Sequence, residues 1–413
     1  MFKHLDEAIY WIETQVKFKP KTDLDRMRSA YQKLGIDLSH VKKIHVAGTN
    51  GKGSVCAFIS NILIEAGYKV GTYTSPYLLK FHERIKYQFV DIKDDELLEL
   101  VEFIYDFNQS FHESYGETLS FFELLTLMSL IYFSKKEVDV IVMEVGLGGS
   151  LDATSILDYD LSIITSIGFD HMKQLGNTLE SIASNKLGIV KKNHHLITTV
   201  DPSLHHYFKS YIKDVEATAD YYTIKDLKKI SDIPLILEID EHQYLLALIG
   251  EYQLLNCLIS VKAVRYLYPH MDDSIIQKGL LKTRWAGRLE EIDHHIYLDG
   301  GHNTHAIDAL KATALETFKD KKIWILFSAL GDKDITGMIE ILESFADKIV
   351  LTKFPDPRFQ ELSLHLNHQI TYVDDALAAI ATLKKQMDED TLLIITGSLH
   401  FVGYIKNKYQ KSS

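Results

Sequence analysis

The stretch Gly48-Thr-Asn-Gly-Lys-Gly-Ser54 carries the plainest chemistry in this chain. Lys43-Ile-His-Val-Ala47 before it reads as a strand, and Val55, Phe58, Ile59, Ile62 and Leu63 after it fall at helical spacing. A glycine-rich turn between a strand and a helix binds phosphate. Glycine lets backbone N–H groups approach the anion, and the helix N-terminus adds a favourable dipole. Thr49, Asn50, Gly51, Lys52, Gly53 and Ser54 are therefore candidate nucleotide contacts, with Lys52 reaching the outer phosphates and Ser54 offering its hydroxyl to Mg²⁺. The spacing departs from the common phosphate loop, since only Thr49 and Asn50 separate Gly48 from the Gly51-Lys52 pair and Gly53 follows the lysine. A tight turn alone would account for glycines at positive φ, but not for the lysine.

Glu144 interrupts the apolar run Asp139-Val-Ile-Val-Met-Glu-Val145 and precedes Gly146-Leu-Gly-Gly149. An acid in a buried strand is costly unless it is used, and at a strand end beside a phosphate loop it is placed to hold Mg²⁺. Asp170-His171 follow the next run, Leu161-Ser-Ile-Ile-Thr-Ser-Ile167, and are expected at the same sheet edge. That makes His171 a candidate metal ligand alongside Ser54 and Glu144.

Such groups meet only if several strand ends share one edge. Strand-like runs at 43–47, 139–145 and 161–167 alternate with helical patterns at 94–110, 120–135 and 178–191. The alternation predicts an α/β fold with a mostly parallel sheet, whose ligands gather at the carboxyl ends of the strands. A second α/β pattern begins near residue 296, with strands at 295–298, 322–327, 348–351 and 392–396 and helices at about 306–317, 334–346 and 374–387. Ala286-Gly287-Arg288 breaks a helical pattern between them. The expected organisation is an N-terminal P-loop ATPase domain over 1–290 and a smaller, Rossmann-like C-terminal domain over 291–413.

The 413 residues are 46% apolar and 25% charged, ordinary for a soluble globular protein. A net charge of −12 argues against a nucleic-acid binder while allowing a local basic pocket for an anionic ligand. Cys56 and Cys257 make no disulfide framework, and both fall in helical apolar segments that suit buried thiols. No signal-peptide pattern opens the chain, and the longest apolar run, 124–133, is too short for a bilayer, so a cytoplasmic, membrane-free protein is expected. The pairs His194-His195, His205-His206 and His294-His295 lack regular ligand spacing and read as solvated surface.

Further motifs follow in order. They are Thr74-Ser-Pro76, Ser120-Phe-Phe-Glu123, Glu144-Val-Gly-Leu-Gly-Gly149, Leu151-Asp-Ala-Thr154 and Thr165-Ser-Ile-Gly168 with Asp170-His171. Later come Gly250 with Gln253 and Asn256, Trp285 with Gly287-Arg288, Leu298-Asp-Gly300 with His302-Asn303, and Thr396-Gly-Ser-Leu399. Together with the phosphate loop they closely resemble the folylpolyglutamate synthase/dihydrofolate synthase branch of the Mur ligase superfamily, from about residue 8 to residue 405.

The resemblance implies an ATP-dependent carboxylate–amine ligase that adds L-glutamate to tetrahydrofolate, with dihydropteroate as a possible second acceptor. ATP would phosphorylate the acceptor carboxylate, and the glutamate amine would displace phosphate from the acyl phosphate. Two Mg²⁺ sites are implied, one held by Ser54, Ser75 and Glu144 and a second by His171 with Glu144. Lys186 matches a lysine that becomes carbamylated, Gln253 and Asn256 match adenine-side contacts, and Arg288 matches a phosphate contact. Asp299 and His302 would stand beside ribose, phosphate or incoming glutamate, and Ser398 would help hold glutamate. Phe121, Phe122 and Asp152 would line the folate pocket, in a site between domains that closes against water, in a monomeric protein. Lys52, Glu144, His171, Lys186 and His302 are the expected catalytic set.

Some positions depart from the family pattern. Ser150 replaces Arg, Ser155 replaces Asn, Asn185 and Leu187 replace Glu and Ala, and Gly301 and Thr304 replace Ala and Pro. Ser150 bears on acceptor recognition. Two other readings remain: a dihydrofolate synthase or sister ligase with another carboxylate acceptor, and a non-catalytic nucleotide- or folate-binding protein. Sister ligases of peptidoglycan precursors carry a nucleotide-sugar domain before the loop, and the 47 residues ahead of Gly48 are too few for one.

Overall fold

The computed structural model describes residues 2–17, 19 and 22–412. Two compact units form: one from 1–167, 173–223 and 257–280, the other from 168–172, 224–256 and 281–413. The division differs from a single cut at 290. Residues 224–256 build a small antiparallel sheet that packs with the second unit, and the short segment 168–172 joins it too.

In the first unit eight strands make one sheet: β1 Lys42–Ala47, β2 Val70–Tyr73, β3 Ile85–Tyr87, β4 Val90–Asp91, β5 Val140–Glu144, β6 Leu161–Ile164, β7 His195–Thr198 and β8 Thr218–Tyr221. Their order is β4-β3-β2-β5-β1-β6-β7-β8, with only β3 running against the others. β1 lies between β5 and β6, parallel to both. The loops after β1, β2, β5 and β6 therefore leave from one edge, the carboxyl edge expected to hold ligands. β5 and β6 are buried along their whole length, as continuous apolar runs in a covered parallel sheet should be.

The helix Lys52–Glu65 is apolar almost all round and buries Val55, Phe58, Ile59, Ile62 and Leu63. Helix Phe121–Lys135 starts firmly because Glu123 Oε2 accepts both the N–H and the hydroxyl of Ser120, at 2.7 and 2.8 Å. The other Glu123 oxygen takes Arg26 Nη2 at 3.0 Å. Opposite that helix, a Cβ on Gly71 would stand 2.6 Å from the Phe133 ring, so only glycine lets the ring lie on β2. Phe121 and Phe122 are thereby held at the helix start.

The second unit has a three-stranded antiparallel sheet, β9 Lys228–Ser231, β10 Ile236–Ile239 and β11 His242–Leu245. Its larger sheet comprises β12 Glu290–Asp293, β13 Ile296–Leu298, β14 Lys322–Phe327, β15 Lys348–Lys353, β16 Ile370–Asp375 and β17 Thr391–Thr396. The order is β12-β13-β17-β14-β15-β16, parallel except for β12. Ile307, Leu310, Ile325, Phe327, Met338 and Leu351 centre its core. The carboxyl ends of β13, β14 and β17 lead into Asp299-Gly300, Ser328-Ala329 and Gly397-Ser398. No helix among the described residues is long and apolar enough to cross a membrane.

Candidate active site

The turn after β1 is clamped from the end of β6. Thr49 N–H donates to the Ser166 carbonyl at 2.8 Å, and Asn50 N–H to Ser166 Oγ at 3.1 Å. Thr165 Oγ1 and Ser166 Oγ return bonds to the Asn50 carbonyl at 2.5 and 3.1 Å. Gly51, at φ +86, ends the turn, and the helix begins at Lys52. The first-turn N–H groups of a helix have no intrahelical acceptor, so those of Lys52, Gly53 and Ser54 are oriented for an anion. Lys52 Nζ bonds the Gly48 and Thr49 carbonyls at 3.0 and 3.2 Å. Lys186 Nζ reaches the same Gly48 carbonyl at 2.9 Å, from a buried position on helix Leu179–Leu187. Two lysine amines thus converge on the phosphate loop although 134 residues separate them in the chain.

Glu144 pairs with Val46 across β5 and β1, which places it beside the strand that feeds the loop. Its Oε2 accepts the Ser75 N–H at 3.0 Å, and the carboxylate is buried. Ser54 is buried as well. A carboxylate with hydroxyl-bearing Ser54 and Ser75 offers oxygen donors alone, the chemistry that suits a hard divalent ion such as Mg²⁺. The donor set fits that ion.

Past Glu144 the chain turns through Gly146, where a Cβ would lie 3.2 Å from Asp152 Oδ2 and 3.5 Å from the Phe122 ring. Asp152 is engaged by its own loop: Oδ2 accepts Leu147 N–H at 3.0 Å, and Oδ1 accepts the Thr154 N–H and hydroxyl at 3.0 and 2.6 Å. Phe121 and Phe122 meet edge to face, centroids 5.1 Å apart, with Phe121 buried and Phe122 half-buried. Ser150 faces a different neighbour, donating its N–H to the Asn185 carbonyl at 2.9 Å. That backbone bond brings the loop at 150 against helix Leu179–Leu187, which carries Asn185.

In the second unit Asp299 is a tie point. Oδ2 accepts the Tyr252 hydroxyl at 2.8 Å and Leu289 N–H at 3.2 Å, and Oδ1 accepts Gly301 N–H at 2.9 Å. Burial, reinforced by the Asp299 charge, pushes the Tyr252 phenol well above its ordinary range. Arg288 lies over Gly300, its Nη1 on the Gly287 carbonyl at 3.1 Å. Gln253 and Asn256 are buried and bonded to each other at 3.0 Å. Ser398 Oγ accepts His400 N–H at 3.2 Å, at the start of helix Leu399–Ser412.

His171 also falls in the second unit, at φ +50, with its N–H on Asp170 Oδ1 at 2.8 Å. Asp170 gathers Lys333 Nζ at 2.6 Å, Asn303 Nδ2 at 3.0 Å and His302 Nε2 at 3.6 Å. Burial alone would raise the Asp170 pKa. The His302 hydrogen bond and the Lys333, His302 and His171 charges outweigh it and hold the carboxyl far below the usual carboxylate range. His302 Nδ1 is 2.8 Å from the Gly300 carbonyl, so it carries the proton in that bond.

Sequence reasoning gave no role to Thr165, Ser166, Asp170, Tyr252 or Lys333. Lys333 had a usable signal, since Gly331-Asp-Lys-Asp334 follows the carboxyl end of β14. Of the histidine pairs, His194 and His195 are not solvated as expected. His194 bonds Asp158 at 2.8 Å, and His195 stacks on Tyr266 with centroids 4.1 Å apart. His294 is exposed, and with His295 and Glu389 it brings three ligand-type atoms within 4.8 Å of one another on a surface turn.

The Mur ligase middle domain family matches residues 46–264, and the Mur ligase glutamate ligase domain family matches residues 287–399. The dihydrofolate synthase/folylpolyglutamate synthase of Bacillus subtilis (strain 168) is 34% identical, over 99% of this chain and 100% of its own. The structure of Escherichia coli FolC in complex with DHPP and ADP is similar at a TM-score of 0.88 and 25% identity, covering 99% of this chain and 98% of that one. A bifunctional folylpolyglutamate synthase/dihydrofolate synthase with Mn, AMPPNP and L-glutamate bound has a TM-score of 0.84 at 26% identity, with 99% and 98% covered.

Proposed function

This chain belongs to the Mur ligase family, in its folylpolyglutamate synthase/dihydrofolate synthase branch, and on that premise we propose that it joins L-glutamate to a reduced folate, with dihydropteroate as a second acceptor in the same site. It is an ATP-dependent ligase, and ATP and a divalent metal serve the reaction. The observation that carries the reading is the convergence of Lys52 and Lys186 on the Gly48 carbonyl, beside the strand that presents Glu144.

An unactivated carboxylate is a poor acylating group, so the acceptor carboxylate attacks the γ-phosphorus of ATP, ADP leaves, and an acyl phosphate results. The glutamate amine then attacks the acyl carbon, loses a proton, and expels inorganic phosphate. First-turn amides from Lys52 to Ser54 take phosphate oxygens, and Lys52 exchanges its loop carbonyls for the outer phosphates. Ser54, Ser75 and Glu144 are the residues that would hold Mg²⁺, and the ion would supply charge neutralisation while two anions are brought together.

The finer assignments are part of the same proposal. His171 would serve as a ligand of a second Mg²⁺, and the neutral Lys186 amine would add CO₂ with loss of a proton, giving a carbamate anion where a cation stood. Arg288 and Asp299 attend ATP phosphate and ribose, Gln253 and Asn256 the adenine, and His302 and Ser398 the incoming glutamate. Phe121, Phe122 and Asp152 border the acceptor. The protein works as a cytoplasmic monomer with small-molecule partners only, and residues 1–290 and 291–413 are its nucleotide/folate and glutamate-ligase portions.

Phosphate release in Mg-ATP and L-glutamate tests the reading, with tetrahydrofolate and dihydropteroate offered separately. Turnover with both supports two activities, and turnover with one assigns that one. No turnover with either, in a folded chain that binds ATP, refutes folate ligation.

A further inference from the structure

Arg84 is a buried cation that the steps above leave without a task. It retains 6% exposure. Its backbone is fixed: Glu83 accepts the N–H groups of Leu78, Leu79 and Lys80 at 2.8 Å each, and the Arg84 carbonyl accepts Thr74 N–H at 3.0 Å. The guanidinium is covered by rings, its Cζ lying 4.9 Å from the Tyr77 centroid, 5.5 Å from Phe121 and 5.6 Å from Phe81. Its nitrogens are another matter. Nε and Nη1 are enclosed, and neither has a hydrogen-bond partner among the described residues.

The two nearby acids are occupied elsewhere. Glu13 takes the Tyr77 hydroxyl at 2.8 Å, and Glu144 takes Ser75 N–H at 3.0 Å. Neither forms an ion pair with Arg84, although both charges act on it. A buried cation without a bonded partner costs stability, so the bare nitrogens of Arg84 call for a partner from outside the described residues. Rings over the faces and bare N–H groups form a seat for a flat anion, because guanidinium matches the plane and the lone pairs of a carboxylate.

Position selects the acceptor over the nucleotide. Phe121, stacked on Arg84, also meets Phe122, which flanks Gly146 just past Glu144. The aromatic wall thus runs from Arg84 toward the acid at the phosphate-loop edge. We propose that Arg84 binds the acceptor, its guanidinium N–H groups donating to a carboxylate of the pteridine acid to be ligated. The inference rests on the folate-ligase reading.

The test is acceptor binding by calorimetry, with the full chain saturated in Mg-AMPPNP, for wild type, Arg84→Met and Arg84→Lys. Dihydropteroate, its carboxamide analogue and tetrahydrofolate are the probes. Both variants should weaken dihydropteroate and tetrahydrofolate by roughly 10- to 100-fold, the range for a hydrogen bond to a charged group. Nucleotide affinity should stay within about twofold. The carboxamide should bind wild type poorly and lose nothing further in Arg84→Met. The ligand-free melting temperature of Arg84→Met should equal or exceed wild type, because an unpaired buried charge is gone.

Unchanged acceptor affinity in a folded variant overturns the proposal. So does a joint fall in melting temperature and in nucleotide and acceptor affinity, which marks a structural role. Should Arg84→Met not fold, the two affinities of Arg84→Lys decide. A wild type that binds neither acceptor removes the functional reading, and this inference with it.

Discussion

Replacing Gly48 by alanine tests how the phosphate loop is built. Gly48 sits at φ +151, and a Cβ there would lie 1.9 Å from Thr165 Oγ1, 3.1 Å from Thr165 Cβ and 3.2 Å from Thr165 N. Rotating the threonine relieves only the first contact, and it breaks the 2.5 Å bond to the Asn50 carbonyl, a loss of about 1 kcal/mol. The other two contacts are rooted in the backbone, so the loop or the end of β6 must shift, an overpacking cost of about 1–3 kcal/mol. The φ value adds about 1 kcal/mol for any residue with a Cβ. A total of roughly 3–5 kcal/mol exceeds what the turn can absorb locally. The Gly48 carbonyl, which receives Lys52 at 3.0 Å and Lys186 at 2.9 Å, would move with it. Mg-AMPPNP titrated calorimetrically into Gly48→Ala should bind at least about 100-fold more weakly, equivalent to about 3 kcal/mol of lost preorganisation. Adding Thr165→Ala removes the worst contact and should recover part of this, a coupling of about 1 kcal/mol. Wild-type affinity and an unchanged melting temperature in Gly48→Ala would refute the reasoning.

Three further outcomes follow from the same geometry. Glu144→Gln keeps an acceptor for the Ser75 N–H but removes the anion, so turnover should fall by roughly 10³-fold with little change in melting temperature; undiminished phosphate release would remove Glu144 from the metal site. Lys186→Ala should be nearly inactive and partly restored by a short carboxylic acid such as acetate, whereas full activity without the acid would show that no lysine carbamate is needed. Burial pushes the His45 imidazole down from 6.5 to about 3, so the folded chain binds fewer protons than the unfolded one below pH 6.5. The stability tied to neutral His45 is fully present above that pH and drains toward pH 3 by up to about 1.4 kcal/mol per unit. His45→Gln, able to keep the Thr154 partner found at 2.7 Å, should flatten the acid limb of the denaturant-melt stability curve, and an identical slope would contradict the assignment.

Each feature that could be read in advance was local. The phosphate loop declares itself within a dozen residues, and Glu144 stands out because an acid ends an apolar run. The central parallel strands β1, β5 and β6 and four of the second sheet were visible as apolar segments, whereas β2, β7, β8 and β16 were not, and β9 to β11 are short strands with no clean apolar period. Asp170 and Lys333 lie 163 residues apart, so no spacing rule joins them. Ser150 read as bearing on acceptor recognition, and no spacing rule joins it to Asn185, whose carbonyl accepts its N–H.

The sequence by itself determined the α/β class, the phosphate loop, the acid beside it and the branch of ligases that this chain resembles, because those depend on residue type over a few turns of chain. Only the tertiary structure decided what each group faces. It put Lys186 on the Gly48 carbonyl, tied Asp299 to Tyr252 and Asp170 to Lys333, and enclosed Arg84 among rings with bare nitrogens. Those pairings arise where loops at strand ends meet helices from distant parts of the chain. Sheet order sets them, and sheet order is settled by the burial of whole strands rather than by any single residue.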